Sequence, residues 1–136
     1  MVKPIMRVVL SLGKKAEDAE EEDRQIITDL HDTLNAHRDR CVGMAANMIG
    51  YKKRIIIVSL GFMDLVMVNP VITQRSGSYE TEEGCLSLDG IRKTQRFRKI
   101  KVQYLDESFH KQTQEYEGQV AQIIQHECDH LDGVII

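Results

Sequence analysis

The stretch QHECDHLDG, residues 125 to 133, constrains this chain more than any other. His126 and His130 stand four apart, a spacing that puts both imidazoles on one face of an α-helix. Glu127 is rotated off that pair but flanks it, near enough to handle a water beside a bound cation without being a ligand. The pattern asks for a helix here and for a divalent metal between the histidines. Val120, Ile123, Ile124, Cys128 and Leu131 mark the buried face of the same helix.

A catalytic site of this kind has three protein ligands and an open fourth position. The candidates for the third ligand are Cys85, Cys41, Glu83, Asp129 and Asp132. Cys128 sits two residues from each histidine, faces elsewhere, and reads as a small core residue. Cys85 is favoured by its surroundings, because Glu82 to Ser87 reads as a tight glycine-containing loop leading into a basic stretch. A thiolate with two imidazoles suits zinc, iron(II), cobalt or nickel. The three cysteines cannot form a complete disulfide framework and are expected to be thiols or ligands.

The periodicities place that helix in an α+β chain. Ile27, Leu30 and Leu34 recur at helical spacing after an acid-rich run, predicting an N-terminal helix from Asp23 that fades by about Arg40. Residues 54 to 60 and 65 to 73 read as short β-branched strands, the second interrupted by Pro70. Ile100, Val102 and Tyr104 alternate as on a half-buried strand, and residues 110 to 118 read as its hairpin partner. The order predicts one domain over 1–136, with mainly antiparallel β-sheets packed around a central metal-binding helix and an N-terminal helix. A net charge of -3 gives no pull toward nucleic acid. No apolar run approaches the roughly 18 residues of a membrane span, and no small-residue cleavage site follows the N-terminal apolar patch, so a cytoplasmic protein is expected.

EGCLS (83 to 87) together with HECDH (126 to 130) resembles two motifs of the peptide deformylase family. The family's first motif, G-x-G-x-A-A-x-Q, is matched in order and spacing by CVGMAANM (41 to 48). The resemblance implies metal ligands Cys85, His126 and His130, with Glu127 as general acid and base. It implies an oxyanion donor in the Leu86 backbone N–H and a substrate-aligning main chain at Gly43. Val42, Met44, Met48, Ile123 and Arg92 would belong to the substrate pocket. The implied reaction removes formate from N-formylmethionyl peptides of newly made proteins, met at the ribosome. The implied cofactor is one divalent ion per chain, Fe(II) in the cell, replaceable by Zn, Ni or Co.

Three departures bear on that expectation. Met48 stands where the family has a glutamine whose amide donates to the oxyanion, and a thioether has no donor. Losing one such donor costs about 10²–10³ in rate, so either a slowed enzyme or a peptide-binding scaffold without turnover is expected. Asn47 carries an amide one position away, and Cys41 replaces the first glycine of the motif. Gln119 and Gln122 occupy positions where the family carries apolar pocket residues, with Gln119 reading as solvent-facing. In the basic stretch 91 to 99, Arg92 is the functional candidate and Arg96 a partner for Asp129. The alternative for that stretch is a charged strand edge.

Overall fold

A computed structural model describes residues 1–5, 16–39, 41–85 and 88–134, without the side chains of residues 85 and 88–90. Among them, five strands form one antiparallel sheet in the order β1 to β5: Gly43–Ala45, Ile55–Ser59, Asp64–Cys85, Leu88–Leu105 and Lys111–Glu117. Helix α1 spans Arg24–Ala36 and helix α2 spans Gly118–Leu131, with a 3₁₀ turn at Ala46–Ile49. The α+β class and both helices agree with the sequence expectation. Helix α1 ends earlier than expected, at Ala36, where the His37 N–H closes the last turn on Leu34. Arg40 lies outside the described residues.

Both helices pack on β1 and β2, and Ile55, Ile56, Ile57 and Val58 are all buried, so β2 is covered on both faces. That is why its sequence is a continuous apolar run rather than an alternation. The alternation appears instead on β4, where Ile100, Val102 and Tyr104 face the core and β5 pairs alongside. Helix α1 contributes Ile26, Ile27, Leu30 and Leu34 to the same core. Its Asp29 is buried too, accepting from the Met1 ammonium, the Tyr51 hydroxyl and the Gln25 amide.

Two expectations need correction. The second strand does not stop at residue 73, and Pro70 interrupts its register without ending it. The β3 strand runs through it, with the register shifting between Val68 and Val71. Asn69, at φ 53, absorbs the irregularity, and its side-chain amide is locked onto both backbone groups of Ala19 at 2.7 and 3.0 Å. Nor do Glu82 to Cys85 lie in a loop, because they are the end of β3, paired across to β4. The intervening polar stretch is a two-stranded ribbon, and one of its faces lies against α2. Its residues read as loop because that face meets polar groups of the helix instead of an apolar core.

Candidate active site

Helix α2 starts directly from β5, with Gly118 at φ 67 making the turn from strand to helix. Its face toward the ribbon carries Gln122, His126 and His130 at intervals of four. The His126 Nδ1 and a Glu83 carboxylate oxygen from β3 are 2.7 Å apart. This bond leaves Nε2 of His126 aimed at Nε2 of His130, 3.2 Å away, with the rings edge to face.

Glu83 is the hub of what surrounds the histidines. The Arg96 guanidinium from β4 donates to both its oxygens, at 2.7 Å from Nη2 and 2.9 Å from Nε. The same guanidinium reaches Asp129 on α2 at 2.6 Å, and the Gln122 amide donates to Glu83 at 2.9 Å. Arg96 is 3% exposed and Glu83 8%. Burial works against the Glu83 anion, but the bonds from His126, Arg96 and Gln122 outweigh it and hold the carboxyl at about 2. The pairing of Arg96 with Asp129 is as read from the sequence; its stronger engagement with Glu83 is not.

Glu127 has the opposite environment. It is 4% exposed, and its Oε1 has no hydrogen-bond partner among the described residues. Burial raises its carboxyl to about 7, with His126 opposing and Glu83 adding to the rise. A Cβ placed on Gly43 would lie 3.1 Å from Glu127 Oε2 and 2.6 Å from the Ile123 Cγ2 methyl. Glycine at 43 is thus what lets the edge strand β1 come this close to the helix. His130 is fully buried, and burial, with the positive charges of His126 and Arg96, lowers its imidazole to about 3. It is therefore neutral at any physiological pH, with a lone pair to give.

The geometry fits a divalent metal. Two nitrogen ligands at about 2.1 Å in a tetrahedral site lie roughly 3.4 Å apart, close to the 3.2 Å between the two Nε2 atoms. A carboxylate on the far ring nitrogen is the arrangement that orients a metal-bound imidazole. The ligand atoms of His126, Glu127 and His130 all fall within 4.8 Å of one another. Of the other candidate ligands, Asp129 is held by Arg96, Asp132 by Arg54, and Glu83 by Arg96 and His126. The Cys41 thiol donates to the Gly43 carbonyl at 2.7 Å. The Cys85 side chain lies outside the described residues; its backbone ends β3 two positions after Glu83. Leu86 also lies outside them.

The remaining expectations fall variously. Val42 is half exposed and Ile123 partly buried beside Gly43, whereas Met44 is fully buried because β1 is covered on both faces. Met48 is also buried, 1% exposed, with its Sδ accepting the Ala45 N–H at 3.4 Å inside its own 3₁₀ turn. Asn47 does not stand in for the missing glutamine, since its Nδ2 donates to the His130 carbonyl at 2.6 Å. Arg92 is partly buried opposite Glu83 in the register. Sequence reasoning missed Gln125 altogether. Its amide pairs with both the N–H and the carbonyl of Phe97, at 2.8 and 2.9 Å, as a neighbouring strand would, and so fastens α2 to β4.

Comparison with known proteins places the whole chain in one family. The family model for polypeptide deformylase matches residues 3–136. A peptide deformylase of Clostridium beijerinckii is 53% identical, covering all of both chains. One from Neisseria meningitidis is 35% identical over 92% of this chain and 76% of its own. Among solved structures, peptide deformylase from Thermotoga maritima matches with a TM-score of 0.89 at 28% identity, covering 99% of this chain and 95% of its own. An actinonin-bound class I type b peptide deformylase from Acinetobacter baumannii matches at 0.87 and 31%, with the same coverage. Among the described residues no helix is long and apolar enough to cross a membrane. With a match over nearly its whole length and the metal-helix geometry to go with it, the chain belongs to the polypeptide deformylase family of enzymes.

Proposed function

We propose that this chain hydrolyses the N-formyl group of formylmethionyl peptides, releasing formate, with one divalent metal held by His126, His130 and Cys85. The observation that carries the reading is the convergence of two neutral-capable imidazole nitrogens, 3.2 Å apart, beside a buried carboxylate with an unpartnered oxygen. Fe(II) is the cellular ion, with Zn, Ni and Co as replacements that the same donor set accepts. When bound, the ion supplies Lewis-acid polarisation of the formyl oxygen and acidifies water. Formylmethionine is carried by newly made chains, which puts the work in the cytoplasm, at the ribosome.

The chain's own residues do the rest. Glu127, with its carboxyl near 7, takes the proton of the attacking water and returns it to the leaving amine. The Leu86 N–H is the proposed donor to the developing oxyanion. Among the described residues strand β1 pairs with β2 alone, so its outer edge at Gly43 offers main-chain groups to an extended substrate. Val42, Ile123 and Arg92 are the proposed substrate contacts.

Met48 sets the expected rate. Its sulfur is committed to the Ala45 N–H and cannot donate to an oxyanion. Met48→Gln is expected to raise formate release from formyl-Met-Ala-Ser by about 10–10². The assay is steady-state release by protein loaded anaerobically with Fe(II), or with Ni(II) as a stable substitute. No formate from either protein at one metal per chain would leave the peptide-binding scaffold as the function. Gly43→Ala is expected to cost about 10² in the same assay, because the new methyl must displace Ile123 and Glu127. Circular dichroism of the variant should match the parent.

A further inference from the structure

On the deformylase reading, we propose that helix α2 and the β3–β4 ribbon form a cleft beside His126 that accepts a first side chain bearing an uncharged hydrogen-bond acceptor. The substrate class is N-formyl peptides that begin with methionine sulfoxide as well as with methionine.

The inner face of the β3–β4 ribbon is polar. Along β3, residues 79, 81 and 83 are partly or fully buried while 80 and 82 are exposed, and along β4 residues 92, 94 and 96 are the sheltered ones. The register pairs Tyr79 with Arg96, Thr81 with Thr94 and Glu83 with Arg92, with no shift between them. At these six described positions the face carries no aliphatic side chain. It is held against α2 from two sides of Thr81: the Tyr79 hydroxyl reaches Gln122 Oε1 at 3.5 Å, and Glu83 accepts from Gln122 Nε2 at 2.9 Å. Thr81 thus lies opposite Gln122, one helical turn ahead of His126.

That position is about 6 Å along the helix from His126 and roughly 6.6 Å along the strand from Glu83. The side chain of a residue whose formyl group sits at the histidines spans such a distance. It would meet Ile123 on one side and the ribbon wall on the other. The hydroxyls of Thr81 and Thr94 make no hydrogen bond among the described residues. They are donors available to a ligand, and the contact from Tyr79 to Gln122 is long enough to yield. Glu83 and Arg96 are paired with each other, which leaves the two threonine hydroxyls as the uncharged polar groups of this wall. A wholly apolar wall would reject an added polar oxygen by about 10²; a wall of hydroxyls satisfies it.

The test compares kcat/KM for formyl-Met-Ala-Ser and formyl-Met(O)-Ala-Ser in the Ni(II)-loaded protein and in the double variant Thr81→Val, Thr94→Val, which keeps the side-chain shape without the hydroxyls. The expected result is a ratio within tenfold for the parent and at least tenfold more discrimination against the sulfoxide in the variant. A parent that rejects the sulfoxide by more than tenfold, or an unchanged ratio in the variant, overturns the proposal while leaving the deformylase reading intact. If neither peptide is hydrolysed, the deformylase reading fails. Equilibrium binding of Met-Ala-Ser and Met(O)-Ala-Ser then decides the cleft: affinities within tenfold support the proposal, and weaker sulfoxide binding, or no binding of either, overturns it.

Discussion

Glu127→Gln is expected to lower formate release by about 10²–10⁴ while the protein keeps one metal per chain. Glutamine has the shape of glutamate and fills the same space against Gly43 and Ile123, so the helix and the ligand pair stay in place. What disappears is a carboxylate with a buried oxygen that has no partner among the described residues and a proton affinity near neutrality. Because Glu127 falls within the same 4.8 Å cluster as the histidines, the metal count is the discriminating half of the measurement. A variant that loses its metal along with its activity would make Glu127 a ligand rather than a proton carrier.

Arg96→Ala is expected to destabilise the fold by about 3–5 kcal/mol, because it leaves a buried carboxylate without its counter-charge. For a chain of this size that is a fall in Tm on the order of 10–20 °C, read by thermal unfolding. The guanidinium makes the forked contact to Glu83 and also reaches Asp129, so it ties β3, β4 and α2 at one point. Arg96→Lys should recover little, since an ammonium cannot fork across both oxygens. The double change Glu83→Leu, Arg96→Leu separates folding from function. Replacing the pair with apolar groups should restore much of the stability. Metal affinity should remain down by about 10–100-fold, because His126 Nδ1 has lost the carboxylate that orients it.

The sequence made the metal helix legible because the spacing of His126, Glu127 and His130 has one geometric meaning on a helix. The apolar run of β2 and the alternation of Ile100, Val102 and Tyr104 were equally readable, since burial on both faces or on one face writes itself into composition. The ribbon was not readable. Its sheltered residues, Tyr79, Thr81, Glu83, Thr94 and Arg96, are polar because they meet the polar side of α2, and a strand without apolar alternation looks like a loop. Glu83 entered as a candidate ligand and is found hydrogen-bonded to His126, the histidine proposed as a ligand. Nothing in one sequence distinguishes those roles when both place an acid within reach of an imidazole. Gln125 gave no signal, and Asn47 was noticed only as an amide beside Met48, since their amides satisfy backbone groups of Phe97 and His130 that are distant in the chain.

On the proposed function, the His126–His130 pair with Glu127 beside it hydrolyses a formamide. The most direct measurement is formate release from formyl-Met-Ala-Ser as Ni(II) is added stepwise to metal-free protein. A rate that climbs with added metal and levels off at one ion per chain is the predicted result. One tightly bound ion per chain with no formate would contradict the account.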